Sequence, residues 1–176
     1  MTFTETKLNG AYVIEIQKLE DARGFFARAW CKNEFERHGL ISHLMQSNIS
    51  FSNRKGTLRG MHYQIAPNQE SKLVRCTKGA IYDVIIDLRP NSLTYKQWLG
   101  TELTAENYKM LYVPESFAHG FQTLENDTEV IYQVSQFYAP QSERGVRYND
   151  PAFGIKWPVD VQVITDKDNN WADYTA

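Results

Sequence analysis

The feature that most limits what this chain can become is a succession of short segments whose side chains alternate in character, each closed by a turn signal. Residues 80–89, AIYDVIIDLR, are the clearest. Tyr82, Val84, Ile86 and Leu88 fall on one face of a strand and Asp83, Ile85 and Asp87 on the other, before Pro90-Asn91 ends the run. Residues 4–17 read as an edge strand or hairpin turning at Asn9-Gly10, and residues 96–103 and 109–113 as two strands around a turn at 104–108. Residues 122–124 and 129–137 are expected to form a hairpin about Glu125-Asn126-Asp127, with Val130, Tyr132 and Val134 on one face. Residues 32–39, KNEFERHG, carry the helix formers and terminal glycine of one short helix, with His38 at its surface. Many short strands and one short helix predict an all-β protein: a sandwich, jelly roll or small barrel. At 176 residues the chain suits one domain over 1–176.

Composition removes several classes. Hydrophobic residues make up 42% and charged residues 23%, ordinary globular usage that argues against a disordered or fibrous chain. Lysine plus arginine total 19 against 21 acids, a formal charge of -2, so there is no basic excess for nucleic acid and any anion site is local. The opening MTFTETKLNGAYVIEI has neither the charged nor the apolar region of a signal peptide, and no apolar run reaches the length of a membrane span. Cys31 and Cys76 lie far apart without metal-type spacing and read as reduced core thiols, which predicts a cytoplasmic protein.

The chemistry gathers in residues 56–72, GTLRGMHYQIAPNQESK. Arg59 and Lys72 are fixed positive charges, His62 is suited to proton transfer near neutral pH, and the glycines let backbone approach a ligand. Two readings fit: a site for a small anionic substrate, or a hairpin with a solvated basic rim and an ordinary histidine. In period 2, His62 and Gln64 share a face, as do Lys72, Val74 and Cys76, so His62 and Lys72 are expected to meet across a hairpin. Residues 44–51 place Gln46, Asn48 and Ser50 on one strand face, which lines a ligand cavity if it points inward and is a wet surface if it points outward. In residues 21–31, Arg23 and Arg28 bracket Phe25 and Phe26, a set that can hold a phosphate and stack a ring, or form a strand with a solvated face. Residues 114–120, PESFAHG, present His119 in a loop. The tail combines an irregular YNDPAFGIKWP with an acidic turn, TDKDNN.

Neither of the usual phosphate-binding glycine loops occurs, nor HExxH, GxSxG or cysteine-zinc spacing. PESFAH resembles the second cupin motif, and His62 stands where the first would place histidines, but Gln64 replaces the second of these. His62 and His119 alone are too few ligands for a catalytic metal, so no metal is expected.

The segments DARGFF, MQSN, GTLRGMHYQ, KLVRCTKGAIYDVIIDLRP, SLTYKQW, LTAEN, PESFAHGF, RYNDPAFGIKWP and TDKD, together with Tyr132 and Tyr138, resemble in order the RmlC-type dTDP-4-dehydrorhamnose 3,5-epimerase family. The resemblance covers nearly the whole chain. It implies a cupin-type jelly roll with one or a few short helices, without metal or other cofactor, usually a homodimer. The implied substrate is a nucleotide-diphosphate 4-keto-6-deoxy sugar, inverted at C3 and C5, or at C3 alone, by proton abstraction and return through an enolate, in deoxysugar biosynthesis. By motif match His62 is the base, Asp168 orients it, Lys72 steadies the enolate oxygen and Tyr132 returns the proton from the opposite face. Arg59 and Arg23 match diphosphate contacts, with Arg23 supplied by the second subunit. Gln46, Asn48 and His119 match cavity-lining positions, and Tyr138 and Phe26 aromatics beside the substrate. Arg28 departs from the pattern, standing where the rhamnose-pathway enzymes carry a glutamate near the base. A donor-only guanidinium suits a base offering acceptors, such as cytosine, or adds to the phosphate clamp, which leaves dTDP and CDP both open.

Overall fold

The computed structural model describes residues 1–175, and its regular secondary structure is mostly antiparallel strands. In chain order these are β1 (Thr2–Glu5), β2 (Tyr12–Glu15), β3 (Leu19–Asp21), β4 (Gly24–Phe26), β5 (Gln46–Ser52), β6 (Leu58–Gln64) and β7 (Lys72–Lys78). They continue as β8 (Ala80–Asp87), β9 (Trp98–Thr104), β10 (Met110–Val113), β11 (Phe117–Thr123), β12 (Thr128–Val134) and β13 (Glu143–Gly145). Two short helices interrupt them, α1 (Lys32–Arg37) and α2 (Asp166–Asn169). A six-stranded sheet runs β1-β2-β10-β7-β12-β5, a five-stranded sheet runs β13-β6-β11-β8-β9, and β3 and β4 form a separate hairpin. This is a cupin-type jelly roll.

The sheets pack face to face over an apolar core. Val74, Cys76, Leu111 and Val130 from the first sheet meet Ile81, Ile85, Leu103, Phe117 and Phe121 from the second. Burial of Cys76 pushes its thiol up to about 11, so this cysteine is an inert core residue. The five-stranded sheet is covered on its other face too: Met61, Val84, Ile86 and Ala118 pack against Val146 and Phe153, with Trp157 and Tyr174, from the tail. Double coverage explains why both faces of β8 are apolar and why every residue of β11 is buried. Where β8 carries carboxylates instead, each is engaged. Asp87 accepts from Arg89, Ser92 and Thr94, and these bonds overcome the opposing effect of burial to hold its carboxyl down at about 2.

Four local expectations change. β6 and β7 lie in different sheets, because the polar segment 65–71 crosses from one sheet to the other instead of folding back as a hairpin. β11 and β12 are likewise in different sheets, so residues 122–137 are a crossover and not a hairpin. His119 lies within strand β11, not in a loop; Ser116, at φ 62, takes up the turn before it. The TDKDNN segment is a helix, α2, capped by Thr165, whose hydroxyl accepts the Asp168 N–H at 3.2 Å. Among the described residues no helix is long and apolar enough to cross a membrane.

Candidate active site

At one end of the sandwich the interior turns polar. There the two sheets hold apart two cavities of about 290 Å³ and about 420 Å³ that meet at His62, Lys72 and Tyr132. His62 comes from β6 in the five-stranded sheet; Lys72 and Tyr132 come from β7 and β12 in the six-stranded sheet. His62 and Lys72 therefore meet across the space between the sheets, not across a hairpin. The first cavity adds Ser50, Arg59, His119 and Asp168, and the second Gln46, Asn48, Glu70 and Tyr138. The polar row of β5 points inward.

His62 Nε2–H donates to Asp168 Oδ1 at 2.6 Å, and the Gly60 N–H donates to Asp168 Oδ2 at 3.1 Å. Asp168 is only 4% exposed. Burial alone would raise its carboxyl; the hydrogen bond and charge of His62, the Gly60 N–H and Lys167 outweigh it and hold the group below the ordinary carboxylate range. With Nε2–H committed to the carboxylate, Nδ1 is the ring atom left with a free lone pair.

This arrangement depends on a close approach of β6 and β11. Gly60 has φ +121, and a Cβ there would lie 2.5 Å from Gly120 Cα; the two glycines flank His62 and His119, which face each other in register.

Lys72 is buried and its charge is matched: Nζ lies 3.2 Å from Glu70 Oε1 and donates to the His62 carbonyl at 3.3 Å. Two of its three N–H groups are thus used, leaving one for the cavity. Tyr132 is half-buried, and its hydroxyl has no hydrogen-bond partner among the described residues. Burial first, and then the Glu70 carboxylate, push its phenol above the ordinary value against the opposing pull of Arg59. The hydroxyl is therefore held as a proton donor at neutral pH.

Around this centre the remaining groups are placed unevenly. Arg59 is fixed by Ser52 Oγ and the Phe51 carbonyl, at 3.2 and 2.9 Å, at the cavity rim. Gln46 holds the Tyr138 backbone through Oε1 at 2.8 Å, and Tyr138 donates to Glu143, which also receives Lys167 at 2.7 Å. Gln64 is consumed structurally: its amide donates to the Asn68 and Phe137 carbonyls and accepts the Ala139 N–H. Among the described residues no group of three or more His, Cys, Asp or Glu side chains could hold a metal ion.

Arg23, Phe26 and Arg28 are not brought into either cavity. Arg23, on the β3–β4 hairpin, pairs with Asp21 and its side chain is 90% exposed; Arg28 reaches Glu34 at 3.8 Å beside Phe26, in a separate depression. Conversely, Glu70, Asp83, Glu143 and Lys167 join the site although sequence reasoning passed over them. Asp83 carried a readable signal, a carboxylate inside the most apolar strand of the chain.

Proton-transfer groups mounted on two facing sheets, around a cavity open at one end of an antiparallel jelly roll, are the arrangement of a cupin-type isomerase. Comparison with known proteins narrows that class. The family model for dTDP-4-dehydrorhamnose 3,5-epimerase matches residues 5–175. A curated dTDP-4-dehydrorhamnose 3,5-epimerase of Sinorhizobium fredii is 40% identical over 171 residues, covering 97% of this chain and 88% of that one. The crystal structure of the enzyme of that name from Elizabethkingia anophelis superposes with a TM-score of 0.96 at 38% identity, covering 99% of this chain and 96% of that one. The one from Bacillus anthracis, with TDP and PPi bound, gives 0.93 at 41% identity over 98% and 99% of the two chains. The chain belongs to the dTDP-4-dehydrorhamnose 3,5-epimerase family.

Proposed function

We propose that this protein epimerises C3 and C5 of a dTDP-linked 4-dehydro-6-deoxyhexose. The observation that carries the reading is the placement of His62 and Tyr132 on opposite sheets across one cavity that Lys72 also lines. The C4 ketone acidifies the protons on C3 and C5. His62 Nδ1 removes one; the C–H electron pair passes into an enolate, and its charge settles on O4. Asp168 orients the ring and balances the imidazolium that forms. The free N–H of Lys72 meets O4, a contact worth about 3 kcal/mol for a donor aimed at a developing oxyanion. Tyr132 then delivers its proton to the opposite face of the carbon, which inverts it; the phenolate regains a proton from solvent and the His62 imidazolium releases its proton to solvent, so both groups are reset for the second carbon.

The substrate class follows the relatives, one of which binds TDP and PPi. Arg59 and Lys167 supply positive charge for a diphosphate at the rim, and Gln46, Asn48 and Tyr138 surround the second cavity. The β3–β4 hairpin reaches the cleft of a second copy, where Arg23 completes the diphosphate contacts. Its uniform exposure, with Leu19 and Phe26 more than half exposed, supports that reading. A nucleotide-sugar substrate and two free thiols suit the cytoplasm.

Turnover in deuterated water tests the proposal. Deuterium is expected at both C3 and C5; protium retained at both refutes it, and deuterium at C3 alone marks a monoepimerase. Thermal shifts with dTDP and CDP decide the base, with the larger shift expected for dTDP.

A further inference from the structure

Asp83 is a carboxylate one hydrogen bond behind the cleft that, among the described residues, meets no lysine, arginine or backbone N–H. It is fully buried on β8, set diagonally from His119 across the β8–β11 ladder, its register partner being Phe121. Oδ1 accepts His119 Nε2–H at 2.7 Å, while Oδ2 is buried with no partner among the described residues. An orphaned carboxylate oxygen beside Ile81 and Ile85 is costly, and an apolar residue would pack there at less penalty. Fold stability therefore does not account for Asp83.

Its partner points toward an account. His119 stands directly opposite His62 in the β6–β11 register and lines the same cavity. Because Nε2–H is committed to Asp83, the neutral ring presents Nδ1 as a lone-pair acceptor. Near the reacting carbons, the ketone oxygen has no hydrogen to donate, and neither has an ionised diphosphate; only a sugar hydroxyl does. The C3 hydroxyl changes direction when C3 inverts, whereas the C2 hydroxyl keeps its configuration throughout. A fixed acceptor on a buried strand matches the group that does not move.

We propose that Asp83 is a positioning residue that holds His119 as the hydrogen-bond acceptor for the C2 hydroxyl of the sugar. The two His–Asp pairs then divide the work: His62 takes the proton and His119 reads the hydroxyl. This proposal rests on the epimerase reading above.

The test uses the full chain with Asp83→Asn, which keeps the shape but lets an amide N–H face Nε2, and with Asp83→Leu should the first fail to fold. For Asp83→Asn, kcat/KM should fall by about tenfold to a hundredfold, as for other residues that orient a functional histidine. Its Tm should equal or exceed that of the wild type, because a half-satisfied buried charge has gone. The ¹⁵N spectrum of the His119 ring should show the proton moving from Nε2 to Nδ1. Against a 2-deoxy substrate, wild type and variant should have equal kcat/KM. Unchanged kcat/KM on the normal substrate overturns the proposal, as does a lowered Tm with an unmoved ¹⁵N spectrum, or a doubly protonated His119 ring in the substrate complex. A wild type that exchanges no deuterium at C3 or C5 sinks the epimerase reading instead, and the ¹⁵N spectrum of the free protein still decides whether Asp83 fixes the tautomer.

Discussion

Replacing Tyr132 with phenylalanine separates two events that normally occur together, loss of a proton from the sugar and its return on the other face. The phenol oxygen has no hydrogen-bond partner among the described residues, so Tyr132→Phe orphans no protein group and should shift stability by no more than about 0.5 kcal/mol. Losing a positioned acid should slow inversion by about 10²–10⁴-fold, or roughly 3–5 kcal/mol in the barrier. His62, Asp168 and Lys72 come from β6, α2 and β7, and none of them bonds to the Tyr132 hydroxyl, so enolate formation continues. The Lys72 ammonium is aimed at O4 and not at the carbon, so the acid left to reprotonate the carbon is the imidazolium that took the proton. The variant should therefore exchange C3 and C5 protium for deuterium with retained configuration, while the epimerised product accumulates slowly. Time-resolved proton NMR in deuterated water follows both. Inversion within tenfold of wild type would refute the role of Tyr132. Exchange and inversion falling in parallel would refute the division between the two walls.

Further outcomes follow from the same geometry. Asp168→Asn removes the acceptor that fixes the His62 tautomer, and turnover should drop by about 10³–10⁴-fold, comparable to the same change in other His–Asp pairs. Since the folded Asp168 carboxyl is held low, its stabilising contribution is complete at neutral pH and is lost as pH falls below about 4 toward the folded value. The Tm difference between wild type and Asp168→Asn should thus shrink on acidification, and a widening difference would contradict the assignment. Asp87 is held at about 2 against a usual 3.8, which corresponds to roughly 2–3 kcal/mol, so Asp87→Asn should lower Tm by about 5–10 °C with kcat unchanged. Gly60→Ala would press a Cβ to 2.5 Å from Gly120 Cα at φ +121, and the protein should be recovered misfolded or with His62 displaced and inactive, as a circular dichroism melt and an exchange assay would show. Arg23→Ala should leave Tm alone and raise KM several-fold; an unchanged KM would remove the hairpin from the substrate site.

Much of this was legible in the sequence, for identifiable reasons. The period-2 runs in β5, β8 and β12 are long enough to mark strand and shared face, so the common face of Gln46, Asn48 and Ser50 and that of Val130, Tyr132 and Val134 can be read directly, whereas the inward direction of the β5 row shows only in the fold. Sheet membership could not. A turn of polar residues between two strands looks the same whether the chain folds back beside itself or crosses to the facing sheet, and 65–71 and 124–127 cross. His119 was assigned to a loop because glycine and alanine flank it, whereas the glycine there serves the close packing of β6 on β11. Asp168 entered only through family resemblance: its link to His62 spans 106 positions, and nothing local in an acidic TDKD marks a buried carboxylate. Glu70 and Glu143 were missed for a similar reason. Acidic residues beside turns read as solvated until a lysine from another element is seen to meet them.

The way Glu70 joins the two walls gives the polar end of the sandwich its logic. In the proposed mechanism Lys72 and Tyr132 both face the enolate, yet an unpaired ammonium beside a phenol stabilises the phenolate and favours loss of the phenolic proton to solvent before any enolate exists. Glu70 binds the ammonium at 3.2 Å, and its negative charge opposes the phenolate. In the resting site the phenol therefore keeps its proton although a lysine is close by. When the ketone is deprotonated, negative charge appears at O4 and the remaining N–H of Lys72 is drawn to it. The developing carbanion is a far stronger base than any phenolate, so a phenol raised above its ordinary pKa still donates downhill. Raising the Tyr132 pKa thus costs little in the forward step and prevents the acid from being spent early. A glutamate placed for this purpose has to be buried and paired, and 12% side-chain exposure with a lysine partner meets both conditions.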